Sequence, residues 1–401
     1  MSERLDVDVV VVGGGLAGYA TSLAFSRAGV PCVVVEGGPP AREDTFGMIL
    51  WPTASRTLAW LGVLDEVTDA GASLESVRWF VPQRDGSAAD PDAGIDIRTS
   101  SLGAGTFLGV LPSRIVGTLK RASHEAGTRS LQATRGWDVE RARPGWRLTV
   151  RTGEQEVTVA TPLLVGADGS GSPLRERLAL PASRWRPKRQ VIVTAVGGPM
   201  PSPQSRQALA AQGAWGCASL GSDHSWLNAV VDEDQALDPA ATLRRYLGFD
   251  GEPSAAFAGM GPAVTVRPWS MRVPQWATDG AVLMGDAAHG MLPHFGFGGS
   301  LTLEDVPVMF EVATEALRTG DASRTRLDQF QQRRRGRVGY GRRASERWAQ
   351  VLAMRVPGSG RMRDLSMRRL ARNPHLLDRF YAELSTSAVP SLSTRLRVGL
   401  P

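Results

Sequence analysis

Near its amino terminus the chain runs from Asp8 through Val9, Val10, Val11 and Val12 into Gly13, Gly14, Gly15, Leu16, Ala17 and Gly18. The β-branched run reads as a buried strand, and the apolar residues from Leu16 to Ala28 recur at helical spacing until Gly29 stops them. A second strand, Val30 to Glu36, completes a βαβ unit with the right-handed crossover of a parallel sheet. Within the turn, Gly13 permits the tight bend, Gly15 lets backbone approach a pyrophosphate, and Gly18 lets helix pack on strand. Leu16 and Ala17 open a helix whose free N–H groups and positive dipole end favour phosphate. Glu36 follows Gly18 by eighteen residues, at a strand end where a carboxylate can accept ribose hydroxyls. This context predicts a dinucleotide site and leaves FAD and NAD as alternatives.

The pattern changes along the chain. Gly37, Gly38, Pro39 and Pro40 end the second strand, and Ala54 to Leu61 reads as a short helix. Between about 73 and 109 short strands such as Val77 to Val81 and Ile95 to Thr99 alternate with a polar loop, as in a hairpin excursion. Ser113 to Ala126 reverts to helix, and Trp146 to Arg151 with Glu156 to Ala160 predicts a hairpin about Thr152 and Gly153. Strands at Val191 to Val196, Trp226 to Val231 and Ala263 to Pro268 surround a helical insert near Pro239 to Leu247. After Ala281 to Met284 the rest reads as helix, most clearly from Ser300 to Thr319.

At roughly 100 to 200 residues per domain, 401 residues allow two or three domains with substantial cores. No segment approaches the roughly 20 consecutive apolar residues of a membrane helix, and the start of the chain carries no export signal. Two cysteines, Cys32 and Cys217, make neither a disulfide framework nor a metal site, so a cytoplasmic location is expected. The net charge of +6 invites a nucleic-acid reading, but only Lys120 and Lys188 are lysines. The densest basic tract, with Arg333, Arg334, Arg335, Arg337, Arg342, Arg343 and Arg347, reads as a helix with a solvated face. No nucleic-acid partner is expected.

Two further motifs decide between the dinucleotides. Leu163 to Arg175 reads Leu-Leu-Val-Gly-Ala-Asp-Gly-Ser-Gly-Ser-Pro-Leu-Arg, and Ala281 to Asp305 contains Gly-Asp-Ala-Ala-His-Gly-Met-Leu-Pro-His-Phe-Gly-Phe-Gly-Gly-Ser. With the glycine turn, these resemble the single-component group A, para-hydroxybenzoate hydroxylase-like, FAD-dependent monooxygenases. The resemblance implies an α/β fold: a discontinuous Rossmann-like FAD-binding domain in 1–72, 110–184 and 276–345, a β-sheet substrate domain in 73–109 and 185–275, and a helical segment in 346–401. It implies NAD(P)H as reductant, O2 as co-substrate and a C4a-hydroperoxyflavin that hydroxylates or epoxidises an apolar aromatic or polycyclic substrate. Secondary metabolism such as antibiotic biosynthesis fits the composition.

The resemblance also supplies roles. Asp168 belongs to the second motif, Gly285 and Asp286 to the third, with Asp286 similar to a ribityl hydroxyl acceptor. Pro293, Gly296 and Gly298 match the loop that passes the flavin ring, and the helix beginning near Gly299 and Ser300 would aim N–H groups at its N1 and O2 edge. Ser300 replaces a frequent asparagine, and Phe297 a frequently polar residue. Arg42 and Arg114 resemble cofactor-contacting arginines. His294 beside Pro293 is a candidate acid or base, with an ordinary value near pH 6.5, or a pocket wall, whereas His289 reads as a buried histidine bonded to backbone. Trp215, Trp226 and Trp269 either line a substrate pocket or fill core. Trp269 to Pro274 is a degraded likeness of a flavin-dependent halogenase signature, without those enzymes' early lysine. A halogenase, a flavin-dependent reductase and a non-catalytic FAD-binding redox protein are the alternatives.

Overall fold

The structure, a computed structural model, describes residues 3–37, 46–80, 95–98, 105–143, 145–198, 204–209, 214–233, 238–246, 263–354 and 372–386, with four isolated positions between 358 and 369. Arg42 lies outside the described residues.

A mixed α/β architecture is built around a six-stranded sheet in the order Ala277–Thr278, Ala281–Leu283, Leu163–Gly166, Val9–Val12, Cys32–Glu36, Arg129–Gln132. All its neighbours run parallel except the first pair. Val9–Val12 is central and buried on both faces, which is why it reads as unbroken valine rather than as alternation. Helix Leu16–Arg27 follows it, and Gly29 in the left-handed region ends the helix. Helices Pro52–Trp60, Pro112–Glu125 and Phe297–Thr319 share its apolar core with Leu23, Phe25, Leu58, Leu119 and Val306.

On the opposite face lies a four-stranded sheet, in the order Glu3–Asp6, Gln155–Thr161, Trp146–Thr152, Trp137–Arg141. Its hairpin closes with Thr152 opposite Gln155, so Gly153 and Glu154 form the two-residue turn and Gly153 has positive φ. The alternating burial of Gln155–Thr161 matches a strand with one face on the core.

A seven-stranded sheet runs Val264–Val266, Gln190–Gly197, His224–Val231, Ala214–Ser219, Gln204–Leu209, Ser76–Phe80, Ile95–Arg98. The early hairpin therefore joins strands more than a hundred residues later, with Ser76–Phe80 parallel to Gln204–Leu209. A three-stranded sheet of Met48–Leu50, Phe107–Val110 and Ala72–Leu74, absent from the sequence reading, lies between the two large sheets in chain order. Two long helices, Phe297–Thr319 and Arg324–Ala353, lead to the shorter Pro374–Ser385. Among the described residues no helix is long and apolar enough to cross a membrane.

The arginine tract departs from expectation. Arg333 is exposed and pairs with Glu311, but Arg334 and Arg337 are buried against Asp305 and Glu304. Helix Arg324–Ala353 lays one face on helix Phe297–Thr319, and these two arginines fall on it, where only paired charges are tolerable.

Candidate active site

The glycine turn is held by its neighbours. Gly13 has φ +115°, and a Cβ there would stand 2.3 Å from the Ala167 carbonyl oxygen, so the second motif seats directly against the first. At Gly14 a Cβ would meet the Glu36 side chain at 2.3 Å. Glu36 thus lies over the turn, where a dinucleotide would cross it. Its Oε1 accepts from Tyr19 Oη and, at 3.0 Å, from Lys120 Nζ.

Asp168 turns inward. It accepts from Ser172 Oγ at 2.6 Å and from Leu174 N at 2.8 Å, bracing the start of helix Pro173–Arg177, and burial pushes its carboxyl up. Buried Arg175 donates to the carbonyls of Ala287 and Ser170, tying the second motif to the third.

Asp286 has the opposite character. Its side chain is accessible although protein encloses it, so it faces an internal space, and no described residue hydrogen-bonds its carboxylate. Burial pushes the carboxyl up, with Asp305 adding to the effect and His289 opposing it. An enclosed carboxylate without protein donors calls for hydroxyl donors from elsewhere. Pro293 is also exposed, and Gly298 and Gly299 are half-buried. Helix Phe297–Thr319 begins here with no side-chain cap and no acidic residue in its first turn, leaving its N–H groups and positive end available to an anionic edge. A glycine cradle, a strand-end carboxylate, an enclosed hydroxyl acceptor and an uncapped helix start fit the parts of FAD.

The Gly285–Asp286 turn rests on a buried ionic network. Asp305 Oδ2 receives Gly285 N at 3.0 Å and His289 Nε2 at 2.6 Å, while Oδ1 receives Arg334 Nε at 2.7 Å. His289 is buried as expected, but its partner is a carboxylate rather than backbone. Glu304 takes Arg334 and Arg337, and Arg337 also donates to Leu384 O at 2.7 Å, holding the last turn of helix Pro374–Ser385.

Beyond Pro293 the chain bends sharply. His294 is 9% exposed, and burial lowers it to about 4, so the ring is neutral at neutral pH. Phe295 sits in the left-handed region at φ +65°, an uncommon conformation for a bulky side chain. Its ring lies 5.4 Å from Trp348 and 6.3 Å from Trp79, while Trp51 donates from Nε1 to the Phe295 carbonyl at 2.7 Å. Trp51 stacks between Phe297 and Tyr381, at 5.2 and 5.1 Å, and Tyr381 Oη accepts from Trp79 Nε1 at 3.1 Å.

Comparison with known proteins decides what these parts belong to. Residues 6–340 match the family described as FAD binding domain. The chain belongs to this family, that of the group A flavoprotein monooxygenases. It is 25% identical to 2-heptyl-3-hydroxy-4(1H)-quinolone synthase of Pseudomonas aeruginosa over 364 residues, 84% of this chain and 87% of that one. It is also 25% identical to aurachin C monooxygenase/isomerase of Stigmatella aurantiaca, over 92% of this chain and all of the other. The crystal structure of p-nitrophenol 4-monooxygenase from Pseudomonas putida has the same fold, with TM-score 0.80 and 16% identity, covering 97% of this chain and all of that one. The group A monooxygenase described here is an FAD-dependent, NAD(P)H-using oxidoreductase.

Not every residue singled out in the sequence turns toward the shared space of this monooxygenase. The Ser300 hydroxyl accepts from Trp51 N at 2.9 Å and donates to Gly296 O. Arg114 donates to Asp223 at 2.5 Å and to Ala70 O at 3.0 Å, and it holds the Asp223 carboxyl far below its usual range. Trp215 packs with Ile192, Cys217 and Leu227 on the sheet face away from Phe295. Trp226 shares the apolar cluster that contains Trp51 and Phe295, and Trp269 lies under Arg184, 4.7 Å from its guanidinium carbon. Met271, at the second position of the halogenase-like segment, is buried and bonds from its backbone to Gly290 O at 2.8 Å. Trp51, Trp79, Trp348 and Tyr381 escaped the sequence reading, because nothing local marks aromatic residues that meet, with Phe295, from five separate segments.

Proposed function

We propose that the chain is a single-component monooxygenase that hydroxylates or epoxidises an apolar aromatic or polycyclic compound, in secondary metabolism. The observation that carries this reading is the gathering of the half-buried rings Trp79, Phe295 and Trp348 around the loop after Pro293, backed by the buried, stacked Trp51 and Tyr381. Faces of this kind favour a flat apolar ring and exclude water. The relative named for a quinolone supports an aromatic substrate.

When bound and reduced by NAD(P)H, FAD supplies activation of O2 for transfer of one oxygen atom. The chain's part is placement. Glu36 would take the adenosine ribose, the Gly13 to Gly18 turn the pyrophosphate, and Asp286 a ribityl hydroxyl. The uncapped start of helix Phe297–Thr319 would favour negative charge on the ring edge. His294, neutral and buried, would donate or accept one hydrogen bond beside the substrate without carrying charge. Residues 73–109 and 185–275 would bear the substrate.

The test is a screen of aromatic and polyketide compounds for stimulated NADPH oxidation, with product mass, 18O2 incorporation and H2O2 followed together. A product carrying one oxygen from O2 is expected. Oxidation that no compound stimulates, or a product formed only with added halide, overturns the reading.

A further inference from the structure

Glu36 has two carboxylate oxygens, and the chain treats them differently. Tyr19 Oη and Lys120 Nζ both donate to Oε1, whereas Oε2 receives no hydrogen bond from a described residue. Oε2 is also the oxygen nearest the glycine turn, 2.6 Å from where a Gly14 Cβ would stand. The donors are anchored from behind. Tyr19 is fully buried, its hydroxyl lies 3.2 Å from Ser130 Oγ, and Ser130 is in turn 2.7 Å from His124 Nε2. Lys120 projects from helix Pro112–Glu125 and lies 5.4 Å from the centre of the Tyr19 ring.

The choice of lysine is informative, because it is one of only two in a chain with 46 basic residues. A solvated cation would be served equally well by arginine. At Glu36 the two differ: an ammonium is a point donor that can share one oxygen with a tyrosine hydroxyl, while a guanidinium fork engages both oxygens of a carboxylate. Arginine would therefore close Oε2.

We propose that Lys120, together with Tyr19, is a positioning residue for the adenosine end of FAD: by occupying Glu36 Oε1 the two fix the carboxylate and leave Oε2 for the ribose hydroxyls. The inference rests on the reading of Glu36 as the ribose ligand. It goes further by assigning the ligand oxygen and excluding arginine at position 120. An ordinary half-exposed ion pair, worth little by itself, would have no preference between the two cations.

The test titrates deflavinated protein with FAD and separately with FMN, which lacks the adenosine ribose, following flavin fluorescence. Lys120→Met is expected to weaken FAD by about tenfold, the scale of one charge-assisted hydrogen bond, and to leave FMN unchanged. Lys120→Arg is expected to weaken FAD as well, despite keeping the charge. The double variant Lys120→Met with Glu36→Gln is expected to bind no more weakly than Glu36→Gln alone, since Lys120 acts through that carboxylate. Far-UV dichroism of the deflavinated variants should match the parent. Parent-like FAD affinity in Lys120→Arg or Lys120→Met, or equal losses for FAD and FMN, overturns the proposal. Parent-like FAD affinity in Glu36→Gln overturns the ribose reading beneath it, so the two failures are distinguishable.

Discussion

His289 Nε2 lies 2.6 Å from Asp305 Oδ2, with both side chains buried, and the same oxygen holds the backbone N–H of Gly285. A helix thus fixes the turn that presents Asp286. Burial pushes the Asp305 carboxyl up, but His289 and Arg334 outweigh it and hold it below its ordinary value of 3.8. A depressed carboxylate stabilises the fold fully above that value and loses its contribution as pH falls through the lowered one. Asp305→Ala leaves Arg334 without one of its two carboxylates and should cost about 3 to 5 kcal/mol, read from guanidinium unfolding at pH 7. A loss under about 1 kcal/mol, the size of a surface pair, would count against the network.

Asp286 should respond with opposite signs in two measurements. Its carboxylate takes no hydrogen bond from a described residue, and burial raises it, so Asp286→Ala removes an unfavourable group from the deflavinated protein. Thermal stability without flavin should therefore equal or exceed that of the parent. FAD affinity should fall, by about 5- to 150-fold for the loss of about 1 to 3 kcal/mol. Unchanged affinity for FAD would remove Asp286 from the cofactor site.

His294 gives a pH signature. Burial lowers it from 6.5 to about 4, so between those values the unfolded chain binds a proton that the native protein refuses. Its contribution to stability is lost as pH falls from 6.5 toward 4, up to about 3 kcal/mol. His294→Phe should flatten that part of the stability profile relative to the parent. The same lowered value means that the product formed per NADPH should show no His294 titration between pH 5.5 and 8.5. His294→Ala should keep FAD while diverting NADPH toward H2O2, and a variant coupled like the parent would leave His294 as a wall.

Phe295 sets strain against packing. A glycine would relieve its left-handed backbone, worth roughly 1 to 3 kcal/mol, but would remove a ring in contact with Trp79, Trp348 and Phe297. Losing a packed aromatic ring costs about 3 to 5 kcal/mol, so Phe295→Gly should be destabilising overall by denaturant unfolding. A stabilised variant would mean that the ring is only loosely packed.

The glycine turn and Glu36 could be singled out by a local rule: a strand, a turn and a carboxylate at a set spacing. The family resemblance added Asp286, Pro293 and His294 as candidates. Arg334 and Arg337 were misread as solvated because a run of arginines looks alike from every side until a partner helix selects a face. The aromatic gathering is harder still. Residues 51, 79, 295, 348 and 381 meet only through tertiary packing, and Phe295 takes a conformation that its residue type disfavours.

The seating of Gly13 against Ala167 also dictates an order of events during synthesis. Val9–Val12 lies between Cys32–Glu36 and Leu163–Gly166, so a nascent chain that ends before the latter strand exposes one edge of an all-valine strand. Such an edge is a template for pairing with other chains. The nucleotide cradle also lacks its far wall until residue 305 has left the ribosome. Fragments truncated in the middle of the chain should therefore aggregate rather than form a small flavin-binding unit, and any expression strategy has to keep the amino-terminal sheet and the third motif on one polypeptide.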